Sequence, residues 1–182
     1  ILFLDMFFGT TPHPLGQLAV KLRLDLLELI KQSGGGHIGG SLSSLDLLIA
    51  LYFSKVFDLK KDHFILSAGH HCTALYTVLS EAGYLPKSWL NRYSEFGSRL
   101  QGHVSLETPG VEFASGSLGQ GLSFAAGLAL SQKDRFVITL TTDGEHQEGQ
   151  IWEALQFAHK YHLGNLINII DANRFQIDGP VG

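Results

Sequence analysis

Two acidic turns carry the clearest chemical potential in the chain. Asp143-Gly144 follows the run RFVITLT at 135–141, and Asp171-Ala172-Asn173 closes the run NLINIID at 165–171. Both runs are short, apolar and β-branched, the pattern of strands buried in a parallel sheet covered on both faces. Turns at the ends of such strands are where an α/β protein binds its ligand. An Asp before a Gly can also do no more than cap the next helix. The pair favours the ligand reading, because adjacent parallel strands end on one edge and would set Asp143 and Asn173 across a common crevice. A carboxylate and an amide oxygen together suit Mg2+ or Ca2+. Mg2+ seldom has an all-protein cage and completes its octahedron with phosphate oxygens and water.

Phosphate also suits the free N–H groups of the helix that Gly144 leads into. Without a metal, Asp143 would oppose it: two like charges about 4 Å apart cost on the order of 4 kcal/mol near a protein surface. The helix dipole returns only about 0.3–1 kcal/mol. A divalent cation makes both contacts attractive, so metal and phosphate are expected to bind together.

Histidine is the second candidate chemistry. Gly36-His37, Gly69-His70 and Gly102-His103 repeat one dipeptide in three separate turns. With 21 glycines and nine histidines, chance supplies roughly one such pair. Imidazole donates, accepts and titrates near neutrality, which suits a site handling hydroxyls and phosphates. His71 follows His70, but a helix beginning there would turn it elsewhere. His13, His63, His159 and His162 read as surface-loop residues.

The elements that must position these groups are legible from periodicity. Gln17–Gln32 predicts an amphipathic helix that stops at the glycines of SGGGHIGGSLSS, and Ser44 is a cap for a second helix over Leu45–Phe53. HFILS (63–67) predicts a strand with a helix directly after it, and 86–113 is loop-rich with a short helix near Trp89–Phe96. GSLGQGLSFAAGLALSQ reads as a glycine turn entering a helix. EGQIWEALQFAHKYHL places Ile151, Ala154, Leu155, Ala158 and His162 on one helical stripe between the two clearest strands. Strand, helix, strand is a βαβ unit. The fold expected is α/β, three layers (α/β/α) with a mainly parallel sheet.

Composition narrows the function classes. The 182 residues are 45% hydrophobic and 16% charged, a globular composition, with a formal charge of −4 that offers no footprint for nucleic acid or an anionic membrane. One cysteine, Cys72, excludes an internal disulfide and fits a reducing compartment. The opening run ILFLDMFF is far shorter than a membrane span and lacks a signal peptide's basic start and cleavage site. The expected division is a 1–16 extension and one domain over 17–182.

The quoted words resemble a known family. Asp143-Gly144 followed by Asn173 is similar to the thiamine diphosphate (ThDP) fingerprint, GDG and then N. DGEHQEGQIWEA, LGNLINIIDANRFQIDG, SGGGHIGGSLSSLDLLIALYF and GSLGQG resemble the N-terminal, diphosphate-binding domain of transketolase. The resemblance covers roughly 17–182, and EHQEGQIWEA leans to transketolase over deoxyxylulose-phosphate synthase and the dehydrogenase E1 components. It implies the ThDP-binding fold, with Asp143, the Asn173 side chain and the Phe175 carbonyl as Mg2+ ligands, completed by two diphosphate oxygens and a water. Ca2+ would substitute. Gly144 would approach the diphosphate through its backbone, and Gly116, Ser117 and Leu118 would pack against the aminopyrimidine. His70 would contact the diphosphate and donor sugar. His37 and His103 would be the catalytic, substrate-binding histidines, His37 near the reacting carbon and His103 on the donor's terminal hydroxyl. Glu148 and Glu153 match interface glutamates, although acidic residues early in a helix also simply favour its dipole. Two positions depart from the family pattern. Ser117 stands for Pro, and Thr142 stands for Gly, where a β-branched residue restricts the turn.

The resemblance further implies a cytoplasmic transferase of the pentose phosphate pathway that moves a two-carbon ketol unit from a ketose phosphate to an aldose phosphate. The family's activating glutamate and most substrate-phosphate arginines lie in a pyrimidine-binding domain, and its first domain extends past the equivalent of Gly182. The chain is therefore expected to need a C-terminal subunit or domain, in a homodimeric contact or a heterotetramer, and to be inactive alone. Another ThDP enzyme and a non-catalytic cofactor-binding module are the alternatives.

Overall fold

The structure, a computed structural model, describes residues 14–181. Most of the expected 1–16 extension, His13 included, lies outside the described residues. Helix α1 (Pro14–Ser33) opens on a proline, whose missing N–H costs nothing in a first turn. It buries Ala19, Leu22, Leu26 and Leu29 along one stripe, and Ser33 Oγ closes its end on the carbonyls of Ile30 and Gly35.

Helix α2 (Ile38–Phe53) begins at Ile38 rather than at Leu45. Ser44 is no cap: it is buried inside the helix and donates back to the Gly40 carbonyl at 3.0 Å. Gly39 and Gly40 disfavour a helix by propensity, yet both lie in its first turn; Gly39 has open space around it, whereas a side chain at Gly40 would collide with His71. Strand β1 (His63–Leu66) leads through a tight helical turn, Gly69–His71, into α3 (Cys72–Glu81), which is buried from Cys72 to Ser80. The helix expected near Trp89–Phe96 is a tight turn at Lys87–Arg92, and Phe96 is fully exposed.

Gly119, at φ +83°, turns the chain into α4 (Gln120–Ser131), a left-handed conformation that glycine adopts without penalty. Strand β2 (Val137–Thr142), a tight turn at Gly144–Gln147, α5 (Gly149–Lys160) and β3 (Leu166–Asp171) follow. The α5 stripe ends at Ala158, because His162 lies past the helix at φ 52° and is exposed. A two-residue antiparallel ribbon, β4 (Phe175–Gln176) with β5 (Gly179–Pro180), has no counterpart in the sequence reading.

The sheet order is β1-β2-β3, all parallel, with Leu66 beside Leu140 and Thr142 beside Asp171. Phe64, Leu66, Ile138 and Leu140 pack on the α1–α3 side. Ile65 and Val137 face α4 on the other. The three-layer α/β expectation is met, and all three strands present their carboxyl ends on one edge.

Candidate functional site

Parallel pairing brings the tips of β2 and β3 together, and the Asp143 N–H donates to the Asp171 carbonyl at 3.2 Å. Asp143 then organises the turn. Its Oδ1 accepts the Gly144 N–H at 3.0 Å and its Oδ2 accepts the Arg174 N–H at 2.6 Å. Arg174 adopts φ 65°, and Asn173 Oδ1 accepts the Phe175 N–H at 2.9 Å. The carboxylate and the amide expected to share a crevice thus belong to one knot of backbone.

Each oxygen there retains lone pairs. Among the described residues, no three His, Cys, Asp or Glu side chains are grouped to hold a metal. A cation at this edge would depend on oxygens of other kinds, for which the Asn173 amide and the Phe175 carbonyl are the candidates. The donor set fits a hard divalent ion.

Thr142 does not crowd the turn. It is the last paired residue of β2, buried, and its Oγ1 accepts the Glu145 N–H at 3.3 Å. A β-branched side chain belongs in such extended backbone.

A hollow of about 830 Å3 opens beside these tips. His37, His70, His103, Gly116, Leu118, Gly144, Asn173 and Phe175 line it, together with Gly39, Gly40, His71 and Thr142. Ser117 is exposed between two lining residues without lining the hollow, and Asp143 stands behind Gly144. Glu148 packs beside Gly119, and Glu153 is exposed on α5; neither lines the hollow. A smaller hollow of about 460 Å3, lined by His159, His162 and Leu163, holds none of the expected site residues.

The three Gly-His turns converge. The His37 ring lies 5.2 Å from that of His70 and 6.4 Å from that of His103. Burial, followed by the neighbouring His37 and His103, lowers the His70 pKa to about 4. The ring is neutral at ordinary pH, one nitrogen donating and the other accepting.

His71 does not turn away as expected. It is 1% exposed, its ring is 4.3 Å from that of His70, and it forms part of the wall. Burial, then His70 and His37, lowers its pKa to about 3. His63 is no surface-loop residue either: it starts β1 and its ring contacts Glu112 and Gln132.

Sequence reading gave two acidic residues no role of their own. Asp171 is buried, and burial raises its pKa although Ser43 Oγ donates to it at 2.6 Å. Glu145 is fully buried and collects three donors: Ser67 Oγ at 2.6 Å, the Gly119 N–H at 2.9 Å and the Thr142 N–H at 3.0 Å. One carboxylate thereby ties the β1 tip, the glycine turn before α4 and the β2 tip. Its place in an acidic first turn gave no signal of this, because the donors come from distant segments.

Comparisons with known proteins bear on the family and the fold. Residues 16–182 match the family model described as transketolase, thiamine diphosphate binding domain. An apulose-4-phosphate transketolase subunit of Phocaeicola vulgatus is 42% identical over 87% of this chain and 60% of its own length. A 6-deoxy-6-sulfo-D-fructose transketolase subunit of Clostridium sp. is 42% identical over 84% of this chain and 60% of its own. The solved transketolase of Leishmania mexicana superposes with a TM-score of 0.86 at 30% identity, covering 91% of this chain and 28% of that one. The chain spans less than two thirds of the length of these relatives, and on its sequence, its fold and the family model it belongs to the thiamine diphosphate-binding domain family of the transketolases.

Proposed function

We propose that the hollow binds thiamine diphosphate with Mg2+ and that the chain is part of a transketolase, moving two-carbon ketol units between sugar phosphates. The observation that carries the reading is the convergence of Gly144 and Asn173, in the turn that Asp143 organises, with His37, His70 and His103 around one cavity. When bound, the cofactor would supply the carbanion chemistry that cleaves and forms the ketose carbon–carbon bond.

The chain's own residues would hold and orient. Asp143, the Asn173 amide and the Phe175 carbonyl would take the cation, with Ca2+ a substitute, and Gly144 leaves room for the diphosphate beside it. Gly116, Ser117 and Leu118 would face the aminopyrimidine. Neutral His70 would donate one hydrogen bond to the diphosphate or the donor sugar and accept another. His37 and His103 would bind hydroxyls near the reacting carbon and at the donor's terminus.

The activating glutamate and the substrate-phosphate arginines would come from a pyrimidine-binding subunit or domain. Glu148 and Glu153 would then lie at a subunit contact, in a homodimer or a heterotetramer. A cytoplasmic location belongs to the same reading, and the single cysteine, Cys72, is a free, buried thiol.

Calorimetric titration with ThDP is the test. Heat that requires Mg2+ and disappears in Asp143→Ala is the expected result, whereas no heat with Mg2+ present would overturn the reading. Ketol transfer on adding a pyrimidine-binding partner, and none before, is expected in the coupled assay.

A further inference from the structure

We propose that His71 is a positioning residue: its ring seats the first turn of α2 against the β3 tip and so sets the spacing of His37, His70 and Asn173 across the hollow. The inference rests on the ThDP reading of that hollow.

The seat has two contacts. In the first, the His71 ring lies flush against Gly40 in the opening turn of α2. A methyl group on Gly40 would stand 2.6 Å from His71 Cδ2 and 2.9 Å from Cε1, and closer still to Nε2, well inside van der Waals contact. Gly40 has no left-handed backbone that would call for glycine. Alanine favours a helix by about 1 kcal/mol over glycine. The glycine is there for the ring.

In the second contact, Ser43, on the same part of α2, donates to Asp171 Oδ1 at 2.6 Å. The opposite edge of the His71 ring faces the same carboxylate, with Nδ1 3.9 Å from Oδ2 and no hydrogen-bond partner among the described residues. That separation is too long for a hydrogen bond, and the imidazole is neutral, so the contact is no ion pair. The ring works as a wedge.

Three elements meet at the wedge, and each carries a residue of the proposed site nearby. His37 immediately precedes α2, His70 adjoins His71 in its turn, and Asn173 Nδ2 reaches Asp171 Oδ2 at 3.4 Å. A displacement of the ring or of Gly40 would therefore move the histidine wall against the metal edge.

The test is a size swap in the full-length protein assembled with its partner subunit, using Gly40→Ala, His71→Ala and the double variant. Affinity for ThDP with Mg2+ and the melting midpoint without cofactor are read for each. Gly40→Ala alone should weaken cofactor binding by about tenfold, because an overpacked contact shifts its surroundings. In the His71→Ala background the same substitution should change affinity by less than about threefold, the mark of coupled neighbours. An equal loss in both backgrounds would overturn the proposal, as would coupling seen only in melting with affinity unchanged. A wild-type protein that binds no ThDP would sink the functional reading and this inference with it; additive losses in a protein that does bind would sink this inference alone.

Discussion

The two ends of the same parallel sheet use histidine in opposite ways. At the amino end, His63 opens β1 with Nδ1 2.5 Å from Glu112 Oε2 and Nε2 3.0 Å from Gln132 Oε1. Burial works against its charge, but the hydrogen bonds to Glu112 and Gln132 prevail and its pKa is raised. Nearby polar groups close the backbone in the same manner. Asp62 accepts the Phe136 N–H, and the Asn165 amide spans the carbonyls of Ala129, Gln132 and Arg135. At the carboxyl end, His70 and His71 are held neutral by burial, and His71 Nδ1 has no partner among the described residues. Polar groups satisfied within the chain hold a fold together. A polar ring that lines a hollow, as His70 does, is available to something else, whereas His71 Nδ1 is sealed against Asp171.

The largest expected effect lies at the carboxyl end. Asp143→Ala should weaken Mg2+-dependent ThDP binding by more than about 100-fold, a greater loss than removing a group that only orients a metal ligand. Asp62→Ala, at the opposite edge, should leave calorimetric affinity unchanged, and equal losses at both ends would abolish the distinction.

Next in size, Glu145→Gln turns an acceptor into a donor against one of three donors. It should lower unfolding free energy by about 1–3 kcal/mol in urea denaturation. A neutral outcome would mean that the carboxylate does not hold the strand tips.

The pH behaviour sharpens the contrast further. His70, with a pKa near 4 against 6.5 for the ordinary side chain, binds fewer protons folded than unfolded. Its contribution to stability is complete above 6.5 and is lost as pH falls toward 4. The His63 shift is upward, so its contribution is complete below 6.5 and is lost as pH rises through the folded value. Ring-proton titration by NMR should place the two midpoints on opposite sides of 6.5. Smallest of all, His63→Ala should cost below about 1 kcal/mol and leave cofactor affinity unchanged.

What is legible in the sequence follows from local pattern. β2 and β3 announce themselves as β-branched runs, and Asp143 and Asn173 follow because a strand end and its turn are contiguous in sequence. The three Gly-His turns are visible as a repeat, although their convergence is not. What escapes notice depends on partners far along the chain. Nothing around Glu145 indicates that Ser67 and Gly119 will bury it. The early start of α2 is hidden by glycines that propensity counts against a helix, while the ring requiring that space comes from another segment. A helix beginning at His71 would point its ring away from the hollow, and one tight turn before α3 reverses that direction. The β4–β5 ribbon, two residues per strand, is too short to show a period.

The Glu145 knot also bears on how this edge moves. The Gly119 and Thr142 amides end on different oxygens of one buried carboxylate, so the glycine loop and the strand tip share an anchor. The glycine loop before α4 is therefore denied the independent fluttering usual for surface loops. Deuterium is expected to enter both positions at a common rate, and much faster exchange at Gly119 would show the loop opening alone.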